Sequence, residues 1–218
     1  MKTLLLIQAH SSVADTLRMH WPWFKGSGLD ICGVACDNRV DLWPEPVPMI
    51  DLGPDRGRGG DHLCRNFVET WRKWLHDARF KEYEAACIVE YDCLFTKAFP
   101  EFAGGIAATF AGGPYPNLKA NQFYHPPWIA DRASAQKIVE HGTQMLKEGD
   151  IEQGYTDFFL GRMKDRFGLE IASLPGVYSR NTMDQQSDQI LARSLIKEGR
   201  LFMVHGVKTR AQLEAIMP

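Results

Sequence analysis

Short apolar runs alternate with longer stretches of helical periodicity along the whole chain, and no other feature constrains the fold as strongly. A strand that is apolar on both faces must be covered on both faces. A helix supplies that cover and returns the chain for a parallel neighbour. The expected architecture is α/β: a mixed, mostly parallel sheet with helices on both faces, in a single domain spanning residues 1–218. The 218 residues, 44% of them hydrophobic, suffice for one sizeable core.

The first run, Thr3-Leu4-Leu5-Leu6-Ile7, is interrupted by Gln8 and His10. A signal peptide needs an apolar core of about 7–15 residues, so residues 3–9 read as a buried first strand. No run approaches the roughly 20 apolar residues of a membrane helix. Ser12, with Asp15 three residues on, predicts a helix start, and Pro22 predicts its stop. Residues 30–36 form a second predicted strand that ends in Asp37-Asn38-Arg39. Residues 40–60 read as a Pro- and Gly-rich loop with one short strand within 47–52. Asp61 is placed to cap a helix whose Leu63, Phe67, Val68, Trp71, Trp74 and Leu75 recur at helical spacing.

Residues 85–89 are short, apolar and bounded, which predicts a central strand running into Glu90-Tyr91-Asp92. Residues 106–111 predict another strand. The prolines within 123–129 suit an edge position. Asp131 caps a helix carrying Ala135, Ile138, Val139 and Met145. A further helix at 155–167 closes at Gly168. Residues 171–178 are extended but broken by Pro175, 184–197 are helical, and 201–204 form a last strand leading into His205. Thr209 and Gln212 form a capping-box pair for a terminal helix.

Composition narrows the partners. Lys plus Arg number 25 and Asp plus Glu 27, a net charge of −2, which gives no electrostatic reason to expect nucleic acid or an anionic membrane. Five cysteines, an odd number without a CxxC pair, read as buried thiols of a reducing cytoplasm rather than zinc ligands or disulfides.

Open α/β sheets bind ligands at the carboxyl ends of their strands. The predicted strands end in Ala9-His10-Ser11, in Asp37-Asn38, in Glu90-Tyr91-Asp92 and in His205. In an extended chain residues i and i+2 share a face. Glu90 and Asp92 would therefore repel each other at the mouth of an apolar strand, and a divalent cation such as Mn²⁺ or Mg²⁺ relieves the repulsion. A neutral His205 can complete the metal shell, and Gly206 lets the chain bend so that Lys208 reaches a phosphate. Two solvated acids, a surface histidine and a snorkelling lysine are the bland alternative. Gly57-Arg58-Gly59-Gly60 lacks the GK[ST] of a phosphate loop and reads as flexible loop.

Cys87-Ile88-Val89-Glu90-Tyr91-Asp92 resembles the DxD-like motif that ends a central strand in the GT-A fold glycosyltransferases. Val204-His205-Gly206-Val207-Lys208 is similar to the late histidine ligand and lysine that many members carry. The first acid here is Glu rather than Asp, which makes Asp92 the firmer ligand. The resemblance implies a Rossmann-like nucleotide-binding half at 1–100 and an acceptor half at 101–218. It implies transfer of a sugar, in a hexosyltransferase-like reaction, from a UDP- or GDP-sugar to a glycan or other hydroxyl acceptor, dependent on Mn²⁺ or Mg²⁺.

The same resemblance assigns roles. Ala9, His10 and Asp37 would hold base and ribose, although Asp37 and Asn38 can equally form a turn. Tyr91, Lys208 and Arg65 would face the donor, Arg65 by pairing with Asp92 or the diphosphate. Asp157, or nearby Glu152, would be the catalytic base of an inverting transfer, its charge favoured by the helix start. Trp128, Tyr124 and Trp21 would be sugar platforms, against the ordinary fate of aromatics in a core. Two rivals remain: a nucleotidyltransferase-like enzyme, whose glycine-rich basic signature is replaced here by His10-Ser11-Ser12-Val13, and a non-catalytic nucleotide-binding protein of the same fold.

Overall fold

The computed structural model describes residues 1–37, 40–53, 62–114, 116–151 and 155–217, the side chain of Val40 excepted. Asn38, Arg39, the glycine-rich 57–60, the expected cap Asp61 and the substitute base Glu152 lie outside the described residues. The elements, in chain order, are β1 (Thr3–Ala9), α1 (Ala14–Lys25), β2 (Asp30–Ala35), β3 (Met49–Asp51), α2 (His62–His76), β4 (Ala85–Glu90), β5 (Cys93–Phe95), β6 (Ile106–Gly112), β7 (Phe123–Asp131), α3 (Arg132–Glu148), α4 (Thr156–Phe167), β8 (Ala172–Ser173), β9 (Val177–Ser179), α5 (Gln186–Lys197), β10 (Met203–His205) and α6 (Arg210–Ile216).

Seven strands form a mixed, mostly parallel sheet in the order β3-β2-β1-β4-β7-β6-β8. β1, β2, β3 and β4 run parallel, and β7 is antiparallel to both of its neighbours. β1 explains why the centre is so apolar. Leu4 and Leu6 point into one core with α2, α3 and α4, while Leu5 and Ile7 point into a second core with α1. That second face is also covered by a separate three-stranded sheet, β5-β10-β9, whose outer side packs on α5 and α6. Strands from both the expected nucleotide half and the expected acceptor half share each sheet. No helix among the described residues is long and apolar enough to cross a membrane, and no disulfide joins the cysteines there.

Three expectations are corrected. The first helix does not open on Ser12 or stop at Pro22. It is entered through a 3-10 turn at Ser11–Val13 and runs to Lys25 with Pro22 inside. Pro22 sits on the exposed side, where water can satisfy the carbonyl it leaves unbonded, while Trp21 and Phe24 on the other side are buried. β7 is not an edge but lies between β4 and β6. Its prolines are tolerated because the β4 ladder ends at Ile88 opposite Trp128, and a register shift between Ala107 and Thr109 carries Pro126 and Pro127 past β6. The last strand, β10, does not belong to the large sheet at all. It pairs with β5, which follows the acidic turn directly.

Three capping expectations hold. Asp131 accepts from the Ser134 amide at the start of α3, Gly168 closes α4 in the left-handed conformation, and Thr209 with Gln212 forms a full capping box. α4 approaches β7 so closely that a Cβ on Gly161 would lie 1.8 Å from the Gln122 carbonyl. That contact sets the start of α4, and with it Thr156 and Asp157, beside the strand ends.

Candidate functional site

β4 delivers Glu90 at its last position, the chain turns, and Asp92 precedes β5. β10 pairs antiparallel with β5, placing His205 opposite Cys93. The small sheet thus brings together groups 113 positions apart in sequence, Asp92 and His205. His205 Nε2 lies 3.2 Å from Glu90 Oε2 and 3.5 Å from Asp92 Oδ1. One ligand atom from each of Glu90, Asp92 and His205 falls within 4.8 Å of the others. Lys208 Nζ stands 3.7 Å from Asp92 Oδ2. Gly206 makes the bend between them: its φ is +92°, and a Cβ there would meet the Arg180 carbonyl at 2.2 Å.

The electrostatics reflect crowding. Burial, with Glu90 beside it, raises the Asp92 carboxyl above the usual carboxylate range, although His205 and Lys208 pull the other way. Burial would also raise Glu90, but its hydrogen bond to His205 and the charges of His205 and Lys208 hold it low. Burial would lower His205, yet Asp92 and then Glu90 keep it high. Asp92 is 1% exposed, and its Oδ1 makes no hydrogen bond. A buried carboxylate oxygen without a donor is costly. Two carboxylates and an imidazole form a donor set suited to Mn²⁺, and to Mg²⁺ through the oxygens alone. These residues fit a divalent cation.

A cavity of about 410 Å³ opens where β1, β2 and β4 end, lined by Ala9, His10, Asp37, Glu90 and Tyr91 among others. Glu90 is therefore shared between the cavity wall and the carboxylate–histidine cluster. The volume falls within the range of roughly 300–1,000 Å³ typical of small-molecule sites. His10 and Tyr91 meet edge to face, with ring centroids 5.8 Å apart. Asp37 Oδ2 accepts the Ser11 amide at 2.6 Å, so Asp37 ties the end of β2 to the end of β1. Neither lysine nor arginine lines the cavity among the described residues.

Other expected positions fall elsewhere. Arg65 is half-buried on α2 and does not line the cavity; His62 and Asn66, one turn apart on that helix, do. Trp128 and Tyr124 are not sugar platforms. They are 1% and 3% exposed, and Trp128 packs edge to face on Phe67 in the core. Trp21 is likewise buried against α1's core.

Asp157 is close to the cluster, but its charge state reverses the expectation from the helix start. Burial first, and the Glu90 carboxylate second, push it up to about 8, with His205 opposing. Its Oδ2 lies 3.7 Å from Nε2 of His125. His125, on β7, is pushed down to about 4 by burial and by neighbouring His205. Sequence reasoning missed His125 and Ser179. Their only signal was a polar residue in each of two apolar or extended runs.

No protein-family model matches the chain, and no curated protein matches its sequence.

Proposed function

We propose that the protein is a divalent-metal-dependent glycosyltransferase that moves a sugar from a nucleoside-diphosphate donor, a UDP- or GDP-sugar, to a hydroxyl acceptor. The observation that carries this reading is the convergence of Glu90, buried Asp92 and His205 beside a polar cavity that Glu90 itself lines. The carboxylates of Asp37 and Glu90 on its wall favour a diphosphate that arrives with a cation. Bound at the cluster, Mn²⁺ or Mg²⁺ would neutralise charge on the leaving diphosphate as a Lewis acid.

The chain's own residues would do the rest. Lys208, with a side chain 43% exposed, can leave Asp92 to meet a phosphate oxygen. His10, Tyr91 and Asp37 would hold the base and ribose. Asp157 would accept the acceptor's proton, with burial moving its carboxyl in the direction that strengthens a base.

The test is a thermal-shift screen of UDP-, GDP-, CMP- and ADP-sugars, each with and without Mn²⁺, followed by detection of transferred sugar. A Mn²⁺-dependent shift with one nucleotide and turnover of its sugar supports the reading. Metal-dependent nucleotide binding without turnover replaces it with a non-catalytic nucleotide-binding protein. A cavity indifferent to every nucleotide, with or without metal, defeats both.

A further inference from the structure

His205 has two ring nitrogens, and both are engaged. Nε2 faces Glu90 and Asp92, while Nδ1 lies 2.9 Å from the hydroxyl of Ser179. The same hydroxyl lies 2.5 Å from Nδ1 of His125. The register of the small sheet produces the first contact, because β9 and β10 run parallel with Ser179 directly opposite His205. The second contact crosses to the large sheet, where β7 carries His125. The two imidazoles lie 5.3 Å apart at 74°, with 7% of His125 and 5% of His205 exposed, so the geometry is held by packing on both sides.

A hydroxyl carries one hydrogen. Between two ring nitrogens it donates to one and accepts from the other. A histidine that ligates a metal through Nε2 commits that lone pair, so its proton must sit on Nδ1. Nδ1 of His205 then donates to Ser179. The Ser179 hydrogen turns to Nδ1 of His125, and the proton of His125 is left on Nε2, the atom facing Asp157 across 3.7 Å. One tautomer at His205 thereby sets the other two groups.

We infer that Ser179 and His125 are positioning residues. They form a hydrogen-bonded chain that holds His205 as the tautomer able to bind a cation through Nε2 and aims an N–H at Asp157. This rests on the metal-site reading given above. Neither residue touches the cation or the substrate, and their role is to fix the ligand and orient the carboxyl beyond it. Outer partners of this kind typically govern metal affinity by 10- to 100-fold.

The experiment measures Mn²⁺ affinity by calorimetry for the wild type, Ser179→Ala, Ser179→Thr and Asp92→Asn. Ser179→Ala should weaken Mn²⁺ by about 10- to 100-fold, and Ser179→Thr, which restores the hydroxyl on a strand, should return most of it. A Ser179→Ala protein with wild-type affinity, or a threonine variant as weak as the alanine one, overturns the inference alone. Wild-type protein that takes up no Mn²⁺ overturns the metal reading and this inference with it. A second measurement needs no variant. Nitrogen-15 spectra of histidine-labelled wild type saturated with Zn²⁺, a diamagnetic cation that takes imidazole nitrogen, should show the His205 proton on Nδ1 and the His125 proton on Nε2. A His205 proton on Nε2 overturns the chain.

Discussion

The two sheets keep their polar groups under opposite conditions. At the mouth of the seven-stranded sheet, Gln8, His10, Ser11, Ser12, Asn66 and Thr156 line an open cavity, where protein partners such as Thr70 for Gln8, or solvent, can satisfy them. Beside the three-stranded sheet, Asp92 and His205 are almost fully buried, with Glu90, Asp157 and Lys208 in range. Hydrated polar groups cost little to maintain, so the cavity by itself says only that its ligand is polar. Buried charges cost several kcal/mol each unless compensated. The cluster therefore carries the stronger chemical message, although its strands are only three residues long. The large sheet supplies the larger core and the cavity floor, and the small sheet brings His205 to the carboxylates that follow β4.

The sharpest way to break that division is Asp92→Asn. The amide has nearly the same shape and removes a buried charge, so the metal-free protein should melt at or above the wild-type temperature. Mn²⁺-dependent nucleotide binding should vanish, a loss of at least about 100-fold, at the upper limit for outer partners. Calorimetry with Mn²⁺ and the responding nucleotide decides it. Normal binding in the variant would make the acidic turn a structural ornament.

Asp157→Asn tests whether the cluster also holds a base. Turnover should fall by about 10²- to 10⁴-fold with donor affinity kept. A stability effect accompanies it. The folded carboxyl is raised from 3.8 to about 8, so the folded protein holds this proton more tightly than the unfolded chain. Stability from this group is complete below about pH 4 and falls as pH rises to about 8, by up to about 1.4 kcal/mol per pH unit. Without metal, urea unfolding from pH 5 to pH 8 should therefore slope less steeply in the variant. Parallel curves would show that neither burial nor Glu90 raises Asp157.

Trp71→Ala reports on the other region. The ring is fully buried on α2 between Phe67 and Trp74. Its removal should cost about 3–5 kcal/mol of unfolding free energy. The Mn²⁺ affinity of the molecules that remain folded should not change. A variant that loses metal affinity along with stability would mean that the two sheets are coupled more tightly than their separate cores suggest.

The sequence made the two regions unequally legible, for physical reasons. β1, β4 and α2 were readable because burial on both faces, or along one stripe, forces long unambiguous patterns such as Leu4 to Ile7 or Phe67 to Trp74. The carboxylates at the end of β4 were readable because a strand end is a local feature. The small sheet was not. Cys93-Leu94-Phe95 is too short to show a period, and nothing local says that it will pair with residues 203–205 rather than extend the large sheet. Tyr124 and Trp128 were misjudged because an aromatic side chain gives no local sign of which face will be covered. The charge state of Asp157 was misjudged because the helix start is local, whereas the burial and the Glu90 carboxylate that outweigh it arrive through the tertiary fold.

The smallest expected effect lies at the cavity and concerns Asp37, which has two possible uses. Its Oδ2 accepts the Ser11 amide at 2.6 Å and so holds the turn after β1. The carboxylate also faces a cavity where a ribose hydroxyl would donate to it. A hydrogen bond to a charged acceptor contributes about 1.5–3 kcal/mol, and each 1.4 kcal/mol is about tenfold in affinity. Asp37→Ala should thus weaken UDP or GDP binding by about tenfold or somewhat more while leaving Mn²⁺ affinity where it was. Asp37→Asn separates the two uses. Its amide oxygen can still accept from Ser11, so the turn and the melting temperature should survive, while an uncharged acceptor holds the ribose less well. Nucleotide affinity in the asparagine variant should then lie between wild type and alanine. If both variants bind nucleotide normally and only the alanine protein melts early, Asp37 is a turn residue, and the recognition of the ribose must be sought at Asn66 or Thr156, which also line the cavity.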